Sequence, residues 1–237
     1  MLCVMLALTA ALVMQGRPLP ADGARFSQRV TSNVTLGYLV YLPDGYEQGD
    51  AKWPVVFFLH GSGERGDDLE KNRAHGPFKE LANGRKIPAI VIAPQCPTGD
   101  SWSSERMTAA LSGLFDHIEK TYRVDRKREL LTGLSMGGYG TWTLGEKYPN
   151  RFAALAPICG NGDVGRVAVL RDEPIWTVHG DADPNVPAQG TRDLVAALRA
   201  AGSTVRYDEI LGGGHDVWTQ TYAQDAFWDW ILAQKRR

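Results

Sequence analysis

Short apolar runs stopped by glycine or proline recur along this chain, and they alternate with segments whose apolar residues return every three or four positions. Residues 34–43 alternate apolar and polar and are rich in β-branched and aromatic side chains, which predicts a strand with one buried face. Residues 54–60 are a continuous apolar run, the signature of a parallel strand buried on both faces. Residues 88–94, 129–133, 152–157 and 174–179 repeat that signature, and residues 205–210 read as the last strand. Leu111, Leu114, Phe115, Ile118 and Tyr122 return at helical spacing, as do Leu194, Val195 and Leu198, and then Phe227, Trp230 and Ile231. Residues 138–148 read as a helix closed by Pro149. Strands alternating with helices predict βαβ units, so the expected class is α/β with a mostly parallel central sheet flanked by helices. No internal repeat, low-complexity tract or insertion long enough for a separate lid domain interrupts the pattern. In such sheets ligands bind outside the carboxyl ends of the strands.

The chain has 237 residues, enough for one large domain. Residues 2–14 are apolar apart from Thr9 and are followed by a Pro-containing stretch. They are too few to span a bilayer, and they resemble the apolar core of a secretory signal without its usual basic start or a clean cleavage site. The expected organisation is a leader over residues 1–24 and one catalytic domain over 25–237, exported to the periplasm or beyond. A retained N-terminal helix or a mis-assigned start would instead leave the protein in the cytoplasm. A net charge of −1 and scattered Lys and Arg argue against nucleic-acid or membrane-surface partners. Cys3, Cys96 and Cys159 form no CxxC and no metal-ligand spacing. Cys96 and Cys159 read by default as buried thiols, with a disulfide between them as the alternative. Neither metal nor cofactor is expected.

Candidate chemistry centres on Gly133-Leu134-Ser135-Met136-Gly137. It has the G-x-S-x-G form of a nucleophile elbow, with a strand before it and a helix after it. A serine hydroxyl is a weak nucleophile without an adjacent base, and the sharp turn lifts it to where a base can reach. Of five histidines, only His179 and His215 follow Ser135. His179 ends a strand and reads as a packing and hydrogen-bonding residue. His215 stands in a Gly-rich loop after the last strand, where an imidazole can swing over the nucleophile. His60 reads as structural though near the site, His117 as solvated, and His75 carries little signal. Asp181 and Asp183 both follow His179, and spacing alone does not separate them as the acid. Asp67, Asp68 and Glu70 read as a solvated face. Trp102 follows a strand end and Trp218 follows His215, so both are candidates for a substrate platform, with packing as the competing reading. Trp142, Trp176 and Trp230 read as core.

His60-Gly-Ser-Gly63, Gly133-Leu-Ser-Met-Gly-Gly138, the run 179–187 (His-Gly-Asp-Ala-Asp-Pro-Asn-Val-Pro) and Gly214-His215 occur in this order. Together they resemble the α/β-hydrolase superfamily, and within it the polyhydroxybutyrate-depolymerase-like, feruloyl-esterase-like and "predicted peptidase" esterases, from about residue 38 to 230. The resemblance implies an α/β-hydrolase fold. Its H-G-x-x-D-x-x-V-P pattern implies Asp183 as the acid, beside Ser135 and His215. It implies an oxyanion hole from the backbone N–H groups of Ser62 and Met136. Relatives often carry Gly-Glu-Arg-Gly after this loop, so Glu64 is expected to brace it. Gly61, Glu64, Trp102 and Trp218 are the candidate substrate-facing residues. The cysteine elbow of dienelactone hydrolases is absent. The implied activity is serine-dependent hydrolysis of short-chain acyl or aryl (feruloyl) carboxylic esters, free or polysaccharide-linked. A serine peptidase of the same fold and a non-catalytic binding protein are the alternatives.

Overall fold

Eight strands make one sheet in the order β1-β2-β4-β3-β5-β6-β7-β8. The computed structural model describes residues 23–29 and 33–236, the first of these segments by its backbone. Cys3 and the expected leader, up to residue 22, lie outside the described residues. The strands are β1 (Gly23–Arg29), β2 (Asn33–Tyr41), β3 (Trp53–Leu59), β4 (Ile90–Pro94), β5 (Val124–Leu134), β6 (Ala154–Ile158), β7 (Trp176–Gly180) and β8 (Arg206–Ile210). β1 and β2 run antiparallel at one edge, and from β4 to β8 every neighbouring pair is parallel. The helices are α1 (Gly76–Ala82), α2 (Glu105–Thr121), α3 (Met136–Lys147), α4 (Gln189–Ala200), α5 (Trp218–Ala223) and α6 (Asp225–Ala233). This is the mostly parallel α/β-hydrolase arrangement. No helix among the described residues is long and apolar enough to cross a membrane.

The apolar runs behave as their composition dictates. β4, β6 and β7 are buried along their whole length, and β3 except at Trp53. Successive side chains point to opposite faces of a strand. Phe57 therefore joins one core layer with Leu111, Phe115 and Trp142, while Phe58 joins the other with Trp176, Tyr222 and Phe227. Phe115 packs between Phe57 and Phe152, with ring centroids at 4.4 and 5.4 Å. Each ring so buried contributes about 2 kcal/mol of apolar transfer. α2 buries Leu111, Leu114, Phe115 and Ile118, and its first turn is closed by Ser104, whose hydroxyl accepts the Met107 N–H at 3.1 Å.

Two elements depart from the sequence pattern. β5 starts at Val124, five residues before its apolar run, because Trp53 pairs with Val124 across a register shift while the intervening residues stay partly exposed. β1 includes residues 23 and 24, which the leader reading assigns elsewhere. Cys96 and Cys159 are both buried free thiols. From β3 the chain crosses to β4 on one side and then to β5 on the other, so a crevice opens between the carboxyl ends of β3 and β5.

Candidate active site

At the end of β5 the backbone turns sharply. Ser135 has φ 52° and ψ −117°, a conformation that costs a non-glycine residue about 1–3 kcal/mol. Its N–H donates to the Ile158 carbonyl at 2.9 Å, and its own carbonyl accepts the Tyr139 N–H at 3.1 Å. The strain is held by main-chain crowding. A Cβ on Gly137 would overlap the Leu59 carbonyl oxygen, and one on Gly133 would overlap the Gly137 carbonyl oxygen. β3, β5 and α3 thus meet backbone to backbone beneath the serine.

The loops after β7 and β8 bring two more groups to it. His215 Nε2 lies 2.9 Å from Ser135 Oγ, and His215 Nδ1 lies 2.6 Å from Asp183 Oδ2. Asp183 is acceptor-only when ionised, so Nδ1 carries the proton and Nε2 is left to accept the serine O–H. The other Asp183 oxygen accepts the N–H groups of Asn185 and Val186, each at 2.9 Å. Burial raises the Asp183 pKa, but the hydrogen bonds from Val186, His215 and Asn185 outweigh it and hold the carboxyl below its usual range. Asp181 has a different partner. It accepts the Gly212 N–H at 2.6 Å and ties the loop that carries His215 to the loop that carries Asp183. The ambiguity between the two aspartates is therefore a matter of geometry: Asp183 faces the imidazole and Asp181 clasps the loops.

His179 is fully buried, in keeping with a packing role, and it also touches the acid. Its Nε2 lies 2.8 Å from the Val186 carbonyl and 3.3 Å from Asp183 Oδ2, and its Nδ1 lies 2.7 Å from Thr191 Oγ1. Cys159, His179 and Asp183 offer potential ligand atoms within 4.8 Å of one another. Both nitrogens and both carboxylate oxygens are already committed, however, and burial pushes the Cys159 thiol up to about 12. His179 and Asp183 form a floor beneath His215 with the Cys159 thiol beside them, a poor metal set.

The loop after β3 lies against the serine, since a Cβ on Gly61 would come 3.8 Å from Ser135 Cβ. Among the described residues, neither the Ser62 nor the Met136 N–H donates to a protein acceptor. Met136 opens α3, where amides are unpaired and the helix dipole is positive. Residues not singled out from the sequence brace this loop. Gln95 donates to the Glu64 and Asp68 carbonyls at 2.8 and 2.7 Å, and Asn72 donates to Ala93 and Pro94. A polar residue directly after the apolar run 88–94 was the available signal for Gln95. His60 accepts the Cys96 N–H at Nε2 and donates from Nδ1 to Gly61. Burial pushes its pKa down to about 4, with Arg65 adding to the effect and the Gly61 bond opposing it.

The aromatic platform reading is corrected. Trp102 has no exposed surface; its indole N–H donates to the His60 carbonyl at 3.0 Å and its ring packs edge-on to His60. Trp218 is also buried, edge-on to His215 at 4.9 Å and to His75 at 5.8 Å, so it walls the base instead of offering an open face. Glu64 is mostly covered: Oε1 lies 3.9 Å from His75, and Oε2 is buried without a hydrogen-bond partner. Its carbonyl, held by Gln95, secures the loop more directly than its carboxylate does. His117 is half-buried near the Tyr38 hydroxyl, not solvated. Trp142 and Trp176 are core, while Trp230 is half-buried with its ring against Trp176.

Comparison with known proteins places this geometry in context. Residues 27–230 match a family model described as "Putative esterase". A bifunctional acetylxylan esterase/xylanase of Neocallimastix patriciarum is 32% identical over 133 residues, covering 55% of this chain and 19% of that protein. A protein named "Probable feruloyl esterase C" from Aspergillus terreus is 24% identical over 155 residues, covering 65% of this chain and 57% of its own length. The crystal structure of a thermostable esterase superposes with a TM-score of 0.79 at 35% identity, over 91% of this chain and 64% of that one. The chain thus spans less than two thirds of these relatives.

Proposed function

The chain belongs to the Esterase family, and from that premise we propose that it is a carboxylic ester hydrolase acting through Ser135, His215 and Asp183. The observation that carries the reading is the unbroken contact chain Asp183–His215–Ser135, at 2.6 and 2.9 Å, built on a strained serine. Ser135 Oγ attacks the ester carbonyl while His215 Nε2 takes its proton. Asp183 fixes the imidazole in the tautomer that can accept and stabilises its cation. The tetrahedral oxyanion is received by the unpaired N–H groups of Ser62 and Met136, each worth about 3 kcal/mol of barrier. His215 returns the proton to the departing alcohol, leaving an acyl-enzyme. Water, deprotonated by the same histidine, then releases the acid. The base must be neutral, so the rate falls on acidification.

The substrates proposed are short-chain acyl or aryl esters, including those linked to polysaccharide. The acetylxylan and feruloyl esterases among the relatives support this class. The working unit proposed runs from β1, which starts at Gly23, to residue 237, with an export leader upstream of it.

The test is hydrolysis of p-nitrophenyl esters from acetate to laurate, and of methyl ferulate, by the parent protein and by Ser135→Ala. Turnover by the parent and a loss of ~10³-fold or more in the variant is the expected result. Equal rates, or no turnover of any ester, would overturn the reading.

A further inference from the structure

Asp183 Oδ2 faces two imidazoles. One is His215 at 2.6 Å, and the other is His179 at 3.3 Å from beneath. The Val186 carbonyl, 2.8 Å from His179 Nε2, can only accept, so Nε2 carries the proton of this ring. That N–H donates to Val186, and Asp183 Oδ2 lies 3.3 Å from the same nitrogen. Burial disfavours the His179 cation, although Val186 and Asp183 oppose this, and the ring's pKa lies below the imidazole norm. In the neutral ring Nδ1 is an acceptor, so the Thr191 hydroxyl on α4 donates to it at 2.7 Å. Thr191 Oγ1 lies in turn 3.0 Å from Asn161 Oδ1. The charged and titratable groups around His179 are Asp183, His215 and Cys159, with Glu209 on β8 acting at longer range.

Resting on the catalytic reading above, we infer that His179 is a positioning residue for the acid–base pair: held by Thr191 from behind, it donates from Nε2 to Asp183 Oδ2 and limits how strongly that carboxylate draws a proton onto His215. The physical logic follows from the donor count. One Asp183 oxygen is fixed by two backbone amides, so losing the His179 donor leaves the carboxylate in place with one neutralising contact fewer. A less compensated carboxylate favours the His215 cation. The base then charges at higher pH and returns its proton to the leaving alcohol less readily.

Two polar substitutions separate this role from packing. In His179→Gln the amide nitrogen overlays Nε2 and keeps the donation. In His179→Asn it overlays Nδ1 and does not reach Asp183. The primary readout is the NMR titration midpoint of His215 in the free protein, which needs no turnover, followed by the pH profile of kcat/KM on p-nitrophenyl acetate. Expected is a Gln variant that titrates with the parent, and an Asn variant whose midpoint and acid limb both rise by about 0.5–1 pH unit. The Asn variant should also lose about tenfold in kcat with KM held within about twofold. Thr191→Val keeps the ring but frees it to turn, and shifts the midpoint in the same direction by less; it serves if His179→Asn does not fold. Midpoints that coincide in all variants, or that move equally in Gln and Asn, overturn the inference. Separated midpoints with no ester turnover would leave it standing and bring down the catalytic reading instead.

Discussion

One strand carries two contrasting environments along its length. Past the carboxyl end of β5 stands Ser135, served by the buried carboxylate of Asp183; midway along the strand stands Glu129, a carboxyl group equally removed from water. Asp183 has its oxygens met by two backbone amides and by His215, and it is held below the usual carboxylate range against the push of burial. Burial dominates at Glu129 and pushes its pKa above that range. Arg151 opposes the shift from 3.6 Å, but it is nearer to Glu119 at 2.7 Å, whose charge reinforces the burial. Glu129 Oε2 has no hydrogen-bond partner. Burial alone does not decide the charge of an acid; the number of donors aimed at it does.

The sharpest way to break the contrast is Asp183→Asn. The amide can still accept from Asn185 and Val186 but no longer selects the His215 tautomer, so kcat/KM should fall about 10⁴-fold. A loss below tenfold in ester-hydrolysis assays would mean that Asp183 does not orient the base.

His60 tests the same rule with a base. Its neutral form is satisfied on both nitrogens, and its pKa is about 4 in the fold. The unfolded chain protonates first on acidification, near the ordinary imidazole value. Stability is therefore complete above about 6.5 and is lost progressively as pH falls toward about 4, by up to about 3 kcal/mol. Urea melts at pH 7.5 and 4.5 should show this slope in the parent and a flatter one in His60→Gln. Parallel slopes would remove His60 from the account.

Trp102→Phe removes the indole bond to the His60 carbonyl and leaves a small cavity beside a fully buried ring. It should cost about 2 kcal/mol of stability with KM unchanged across the ester series. A KM that rises selectively for aryl esters would restore Trp102 as a substrate contact.

The smallest effect is expected from Glu129→Gln. A carboxyl with a raised folded pKa stabilises less as pH rises through that value, because the unfolded chain ionises first. The variant should match the parent in activity and gain up to about 1 kcal/mol relative to it, the gap widening from acid to alkaline pH. A gap that narrows with pH would show that Glu129 is ionised and paired with Arg151.

The sheet was legible because burial on both faces forces continuous apolar runs, as at residues 54–60 and 88–94. The start of β5 was not, because residues 125–128 bulge out between the Trp53–Val124 and Val55–Glu129 pairs and stay partly solvated, so they carry no apolar signature. The Ser135 turn and the His215 loop announced themselves through glycines that crowded backbone demands. Asp181 and Asp183 looked alike because both sit in one turn, and only the third dimension shows which faces an imidazole. Trp102 was misjudged for a related reason. Its position after a strand end is at the site, but its side chain turns inward to the His60 carbonyl. Gln95, Asn72 and Thr191 act through a few hydrogen bonds each to distant segments, and such contacts leave no periodic trace in a sequence.

The glycine-to-carbonyl contacts beneath Ser135 bear on how this scaffold can be altered. Because Ser135 is located by main chain packed on main chain, its coordinates depend little on which side chains surround the crevice. Gly63 and Leu211 stand exposed on the loops around it. Libraries randomised at such rim positions should therefore change what is accepted while the turnover machinery stays in register, whereas any library that includes residues 133 or 137 should return almost only the parental glycine.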